Sequence, residues 1–149
     1  MNNYIDSIFS LSGKIIVITG AAGLLGEKHA EAVAAYGGTP VLLDLSQKVI
    51  DKFSNELNEK YKVDSIGFAV DITDERSIQD NAKLLMDKFG KIDGLVNNAA
   101  NNPKVEDSKE VNFSRLENFS LDIWNEDISV GLTGSFLCAK HYGFSISKP

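Results

Sequence analysis

The sequence predicts an α/β fold, a parallel sheet in three αβα layers, on three observations. Short apolar runs rich in β-branched residues alternate with segments of helical periodicity. The first run feeds a glycine-rich turn, and acidic or amide residues stand at the ends of the runs that follow. The alternation reads βαβαβαβ, and parallel strands joined by helices require right-handed crossovers with helices on both faces.

Ile15-Ile16-Val17-Ile18 is the first run, four β-branched residues that suit a strand buried on both faces. Residues 1–12 form a polar lead-in in which Ile8, Phe9 and Leu11 are expected to pack near that strand. After it comes Thr19-Gly20-Ala21-Ala22-Gly23-Leu24-Leu25-Gly26, then a helical segment from Glu27 to Tyr36 with Leu25, His29, Val33 and Tyr36 along one face. Gly37-Gly38 ends that helix and Pro40 to Asp44 is a second strand. Ser46 is the expected N-cap of a helix carrying Ile50, Phe53, Leu57 and Tyr61 inward. Ser65 to Asp71 makes a third strand. Thr73 is expected to cap a helix with Asp74 and Glu75 in its first turn and Ile78, Ala82, Leu85 and Phe89 facing the core; Gly90 stops it. Ile92 to Asn97 gives the fourth strand.

From Ala100 periodicity is lost, and residues 101–118 read as a long loop, either functional or a solvated excursion. Ser120 or Asp122 then starts a helix running past Ala139. Gly131, Gly134 and Ser135 are costly within it unless another backbone comes close there. Trp124 reads as a packing anchor, Cys138 as a small core residue, and His29 and His141 as structural.

Composition narrows the function classes. The chain has 149 residues, a formal net charge of −6 and 43% apolar residues, with arginine only at positions 76 and 115. An acidic, arginine-poor chain is ill suited to nucleic acid or an anionic membrane surface. A single cysteine excludes an intrachain disulfide and points to a reducing, cytoplasmic setting. No apolar run reaches the ~20 residues a membrane span needs, and the amino terminus does not read as a signal peptide. No Cys, His or carboxylate set has metal-ligand spacing, so no metal is expected.

The glycine turn carries the most chemistry. Strand, glycine turn and helix bring backbone N–H groups and the positive end of a helix dipole to one point, which suits a pyrophosphate. The same turn also occurs as a plain strand-to-helix connection. Asp44 adds to the first reading: an acid at the end of the second strand, about 20 residues beyond the turn, is placed to hydrogen-bond a ribose diol.

Together with Asp71-Ile72 after the third strand and Asn97-Asn98-Ala99-Ala100 after the fourth, these residues resemble the short-chain dehydrogenase/reductase family from about residue 10 onward. Asn-Asn-Ala-Ala is close to the family's Asn-Asn-Ala-Gly, and Trp124-Asn125 through Gly134-Ser135-Phe136 looks like its fourth helix. The resemblance implies a Rossmann-type sheet, incomplete on its carboxyl-terminal side, with 1–149 as a truncated nicotinamide-dinucleotide-binding domain. It implies that Gly20, Gly23, Leu24, Leu25 and Gly26 contact or make room for the pyrophosphate and that Asp44 and Leu45 meet the adenosine ribose. Asp71 and Ile72 would line the adenine pocket, and Asn98, Ala99 and Ala100 would border the nicotinamide-side ribose. Asp44 favours NAD over NADP, because a 2′-phosphate beside a carboxylate is repelled and neither Ala22 nor Leu45 supplies a compensating base.

The sequence departs from the family pattern in three places. The Gly-x-x-Gly-x-x-Gly spacing matches the sugar-nucleotide epimerase and dehydratase branch better than the dehydrogenase branch. Gly131 stands where the fourth-helix asparagine is usual, in a Val-Gly-Leu-Thr-Gly similar to members that modify surface polysaccharide or flagellin glycans, which points to a sugar-related substrate. Finally, Tyr4, Tyr36, Tyr61 and Tyr142 are followed four residues on by Ile8, Pro40, Ser65 and Ile146. The family's Tyr-x-x-x-Lys pair, general acid/base plus the lysine that lowers its pKa, is missing, and no catalytic residue is assigned. The chain is therefore expected to be inactive alone. It reads either as the cofactor-binding portion of an oxidoreductase or as a non-catalytic nucleotide-binding module, with an epimerase or dehydratase relative as a further alternative. An unpaired fourth strand and an uncovered last helix predict a homo-oligomer, pairing through residues 120–147.

Overall fold

The computed structural model describes residues 8–101 and 116–146. Four parallel strands form one sheet in the order β3-β2-β1-β4, with β1 at Ile15–Thr19, β2 at Thr39–Asp44, β3 at Ile66–Ala69 and β4 at Gly94–Val96. The helices between them are α1 (Leu24–Ala35), α2 (Gln47–Tyr61) and α3 (Glu75–Phe89). A turn of 3-10 helix at Leu116–Asn118 precedes α4 (Leu121–Ile128), which runs through a π turn at Ser129–Gly134 into α5 (Ser135–Ile146). Most of the 101–118 loop lies outside the described residues.

Side-chain alternation along the strands builds two cores. Ile15 and Val17 of β1 and Val41 and Leu43 of β2 face one side, where they meet Ile78, Ala82 and Leu85 of α3 and Leu137, Cys138 and Tyr142 of α5. Ile18 and Leu42 face the other, against Ala30, Val33 and Ala34 of α1 and Ile50 and Leu57 of α2. Each fully buried Leu, Ile or Val contributes about 1.5–3 kcal/mol relative to exposure, so both cores are needed to hold the helices on the sheet. Three layers result, as the alternation predicts.

Several local expectations need correction. The buried face of α1 is Gly26, Ala30, Val33 and Ala34, whereas Leu25, His29 and Tyr36 are exposed. Small residues win because α1 lies close on the sheet. α1 also begins at Leu24, earlier than Glu27. At α3 the capping oxygen comes from Asp74, which accepts from the Arg76 N–H, while Thr73 is bonded to Asp71 instead. Ser46 stands at the N-cap of α2 but makes no side-chain cap bond. Among the described lead-in residues Leu11 packs against a core, whereas Ile8 and Phe9 are exposed. Trp124 is 54% exposed and belongs to neither core cluster. The third and fourth strands are shorter than expected at both ends, since the paired residues run from Ile66 to Ala69 and from Gly94 to Val96.

Gly134 does permit a close approach, since a Cβ there would sit 2.8 Å from Ile72 Cδ1 and 3.1 Å from its carbonyl oxygen. Gly131 has open space around it, so no neighbour requires a glycine at that position. Cys138 is fully buried, and burial pushes its thiol up to about 12, in keeping with a core residue. Tyr142 is fully buried and donates to Asn81 Oδ1 at 2.9 Å, fixing α5 on α3 through one satisfied polar pair. His141 and Lys140 both reach Glu75 Oε1 at 2.8 Å, so His141 has the structural role expected of it.

Asp93 ties the amino-terminal ends of β1 and β4 together. Its carboxylate accepts from the Ile15 N–H at 2.9 Å and pairs with Lys14 at 3.0 Å and Lys91 at 2.9 Å. Burial would raise its pKa, but the Ile15 amide and the two lysines outweigh that and hold it at about 2. A depressed carboxylate stabilises fully above its unfolded value near 4, and that contribution drains away as pH falls toward 2. Asp93→Asn is expected to lower stability by about 1.5–3 kcal/mol at pH 7, with the difference from wild type shrinking between pH 4 and 2 in urea titrations. A second prediction concerns the turn after β1. A Cβ on Gly26 would overlap the Gly20 carbonyl oxygen and lie 2.7 Å from Ala21 Cα, whereas one on Gly23 meets only the Gly20 oxygen at 3.3 Å. Gly26→Ala is expected to cost about 3 kcal/mol and Gly23→Ala far less, as read by urea unfolding.

Candidate functional site

The carboxyl ends of the four parallel strands converge on the turn between β1 and α1. Thr19, the last residue of β1, is fully buried and organises the convergence. Its Oγ1 accepts from the Asn98 and Ala99 N–H groups, both at 3.0 Å, and donates to the Val96 carbonyl at 3.4 Å. The Asn98 side chain returns the tie, its Nδ2 donating to the Thr19 and Gly20 carbonyls at 3.0 Å each. The segment after β4 is thereby clamped to the turn. Gly20 takes φ +60°, and a Cβ there would lie 2.8 Å from Ala99 Cα, so the backbone conformation and the close contact both call for glycine.

A second set of bonds comes from β2. The Ala21 N–H donates to the Leu43 carbonyl at 3.0 Å. Asp44 accepts from Ala22 N–H on Oδ2 at 3.0 Å and from Leu45 N–H on Oδ1 at 2.8 Å. The carboxylate is therefore held in one orientation beside the glycine turn. Gly23 caps α1 without a side-chain bond, so the amides of the first helical turn, Leu24, Leu25 and Gly26, have no partner within the helix and sit at the positive end of its dipole.

These elements wall a cleft of about 400 Å³. Gly20, Gly23, Leu24, Leu25, Asp44, Leu45, Asp71, Ile72, Asn98, Ala99 and Ala100 all line it, as the sequence pattern anticipates. Gly26 does not line it; it lies beneath, where its missing side chain lets α1 start against Gly20. The sequence reading missed Val70, Asn101 and Val130, which also line the wall. Val130 belongs to the π turn, which packs on Ile72 through Gly134 and so comes to the cleft from a distant part of the sequence. Thr19 was missed as an organiser, although a hydroxyl closing an apolar strand just before Gly20 is a readable signal. Asn98 has both amide hydrogens committed to the turn, so its side chain is a brace before anything else.

The electrostatics are one-sided. Among the described residues two carboxylates, Asp44 and Asp71, line the cleft, and no lysine or arginine does. Asp71 is engaged locally, its Oδ1 accepting from the Thr73 N–H at 2.8 Å and the Thr73 hydroxyl at 2.6 Å. Backbone amides at the start of α1 are thus the positive pole, and a fixed acid stands at the end of β2. A group with a small anionic centre and a diol fits this donor set. A Cβ at Gly20 would meet Ala99 and one at Gly26 the Gly20 carbonyl, so both glycines are needed for the shape of the turn that presents these amides.

Comparison with known proteins agrees with this arrangement. The family profile for short chain dehydrogenase matches residues 14–143. The D-threitol dehydrogenase of Mycolicibacterium smegmatis is 30% identical over 139 residues, covering 93% of this chain and 50% of that protein. An NADP-dependent mannitol dehydrogenase of Alternaria alternata is 28% identical over 142 residues, covering 93% and 50%. Among solved structures, the NADPH-dependent 3-quinuclidinone reductase of Rhodotorula rubra superposes with a TM-score of 0.81 at 27% identity, covering 97% of this chain and 52% of that one. A xylitol dehydrogenase bound to NAD+ shares the fold with a TM-score of 0.79 at 24% identity, covering 91% and 49%. The chain spans about half the length of the curated relatives it matches, and it belongs to the short chain dehydrogenase family.

Proposed function

We propose that residues 1–149 are the cofactor-binding portion of an NAD-dependent oxidoreductase acting on a CH–OH group, and that they do not turn over substrate alone. The observation that carries the reading is Asp44, fixed beside the glycine turn by the Ala22 and Leu45 amides in a cleft that no cation lines among the described residues. In this reading the first-turn amides of α1, with Gly20, Gly23, Leu24 and Leu25, hold the pyrophosphate, and Gly26 keeps the helix close. Asp44 accepts from the ribose hydroxyls through its remaining lone pairs, Leu45 covers that sugar, Asp71 and Ile72 take the adenine, and Asn98, Ala99 and Ala100 border the second ribose. A bound nicotinamide supplies hydride chemistry; the residues here bind and orient it. A 2′-phosphate would meet the Asp44 charge with no base among the described residues of the cleft, which favours NAD over NADP.

Names among the relatives, D-threitol and mannitol dehydrogenases, support a polyol or sugar-related substrate for the whole protein. The short chain dehydrogenase match favours that branch over the epimerase and dehydratase alternative that the glycine spacing raised. A second reading, a nucleotide-binding module without catalysis, is favoured by one observation: none of the four tyrosines in these 149 residues has a lysine four positions on. A cytoplasmic location is part of the proposal; among the described residues no helix is long and apolar enough to cross a membrane.

Titration of NADH fluorescence with the chain is expected to give saturable binding, with NADPH bound at least about tenfold more weakly and Asp44→Ala weakening NADH by about tenfold, the worth of one charge-assisted contact. Equal or tighter NADPH binding would overturn the cofactor assignment, and NADH production from any polyol would overturn the expectation of inactivity. Assembly is the other part of the proposal. Leu132, Phe136 and Phe144 lie exposed along the last helix, and β4 has only β1 as strand partner among the described residues. Sedimentation at micromolar concentration is expected to show a homo-oligomer that Phe136→Glu converts to monomer; a monomeric wild type would refute it.

A further inference from the structure

The free edge of the sheet at β3 is not left open. Register with β2 turns the backbone groups of even-numbered residues toward that strand, as the Val70 N–H to Asp44 carbonyl bond at 2.9 Å shows. By strand alternation the N–H and C=O groups of Ser65, Gly67 and Ala69 point away from β2, toward the edge. Two carboxamides from α2 meet them there. Gln47 donates from Nε2 to the Gly67 carbonyl at 3.1 Å and accepts on Oε1 from the Ala69 N–H at 2.7 Å. That is the pair of bonds a residue opposite Phe68 in a further parallel strand would make. Three turns along the same helix, Asn58 accepts from the Ser65 N–H on Oδ1 at 2.6 Å and donates to the Ser65 carbonyl at 3.0 Å.

We infer that Gln47 and Asn58 act together as a surrogate strand that closes the β3 edge against strand addition by another chain. Four of the outward backbone groups between Ser65 and Ala69 are occupied in this way. The arrangement is reinforced at both ends. Gln47 uses its second hydrogen on Asp51 Oδ1 at 2.7 Å, and Ser54 Oγ joins Asn58 on the Ser65 carbonyl at 2.8 Å. An exposed parallel edge with apolar side chains is a template for pairing, and Phe68 and Ile66 pack beside it on the core. Covering the edge from α2 needs no extra strand and no charged residue within β3. The sheet is thereby made asymmetric, closed at β3.

Residue-resolved amide hydrogen exchange on the 149-residue chain tests this. Gln47→Met is expected to speed exchange of the Ala69 N–H by about fivefold or more while the Val70 N–H, bonded to β2, keeps its wild-type rate. Asn58→Leu should do the same at Ser65. In the double variant, exchange at Ala69 and Ser65 is expected to slow again as protein concentration rises, because strands of other copies pair onto the opened edge. Ala69 and Val70 accelerating together, Ala69 unchanged in Gln47→Met, or exchange in the double variant independent of concentration would each overturn the inference.

Discussion

The clamp between Thr19 and the Asn98–Ala99 backbone is the constraint on which the cleft depends. A sheet of parallel strands ends in loops that are free to diverge, and a glycine turn by itself has little to fix its shape. One buried hydroxyl with two amide donors, answered by one side-chain amide with two carbonyl acceptors, makes the ends of β1 and β4 a single unit. Buried polar groups that are fully satisfied in this way specify one arrangement, since any other leaves several of them unpaired.

Asp44 extends the same logic to β2. Its carboxylate is bonded to two backbone amides, so the acid belongs to the scaffold as much as to the wall of the cleft. The Ala21 amide on the Leu43 carbonyl completes the lacing. The anion-facing amides of α1 are consequently presented by a turn that three strands hold, and the preorganisation is built before any ligand arrives. At the opposite end of the sheet Asp93 does similar work, bridging β1 and β4 through the Ile15 amide. The two ends differ in charge: Lys14 and Lys91 pair with Asp93, while among the described residues no lysine lines the cleft.

Polar side chains recur wherever this fold must end a strand or bound a sheet. Gln47 and Asn58 satisfy backbone at β3, Tyr142 and Asn81 join α5 to α3 through a buried pair, and Asp74 and Ser120 cap helices. The apolar cores supply the bulk of the stability, and these bonds decide the register in which the layers meet.

The sequence alone was enough for the fold class, the order of elements, the glycine turn and the acid at residue 44, because each rests on local chemistry, while the other residues around the turn came from the family resemblance. β-branched runs prefer strands, glycine permits φ +60° at residue 20, and acids and amides at strand ends fall at one rim of any parallel sheet. Which face of α1 is buried was not legible. Leu25 and Tyr36 are the larger apolar residues, yet Gly26 and Ala30 face the sheet because helix and turn pack too closely for anything bigger. Trp124 reads as an anchor from its size, yet it is exposed and lies outside both core clusters. Val130 and Asn101 reached the cleft, and the amides of α2 reached β3, only through contacts between residues distant in sequence. Those depend on how layers dock, a property of shape in three dimensions that no local pattern encodes.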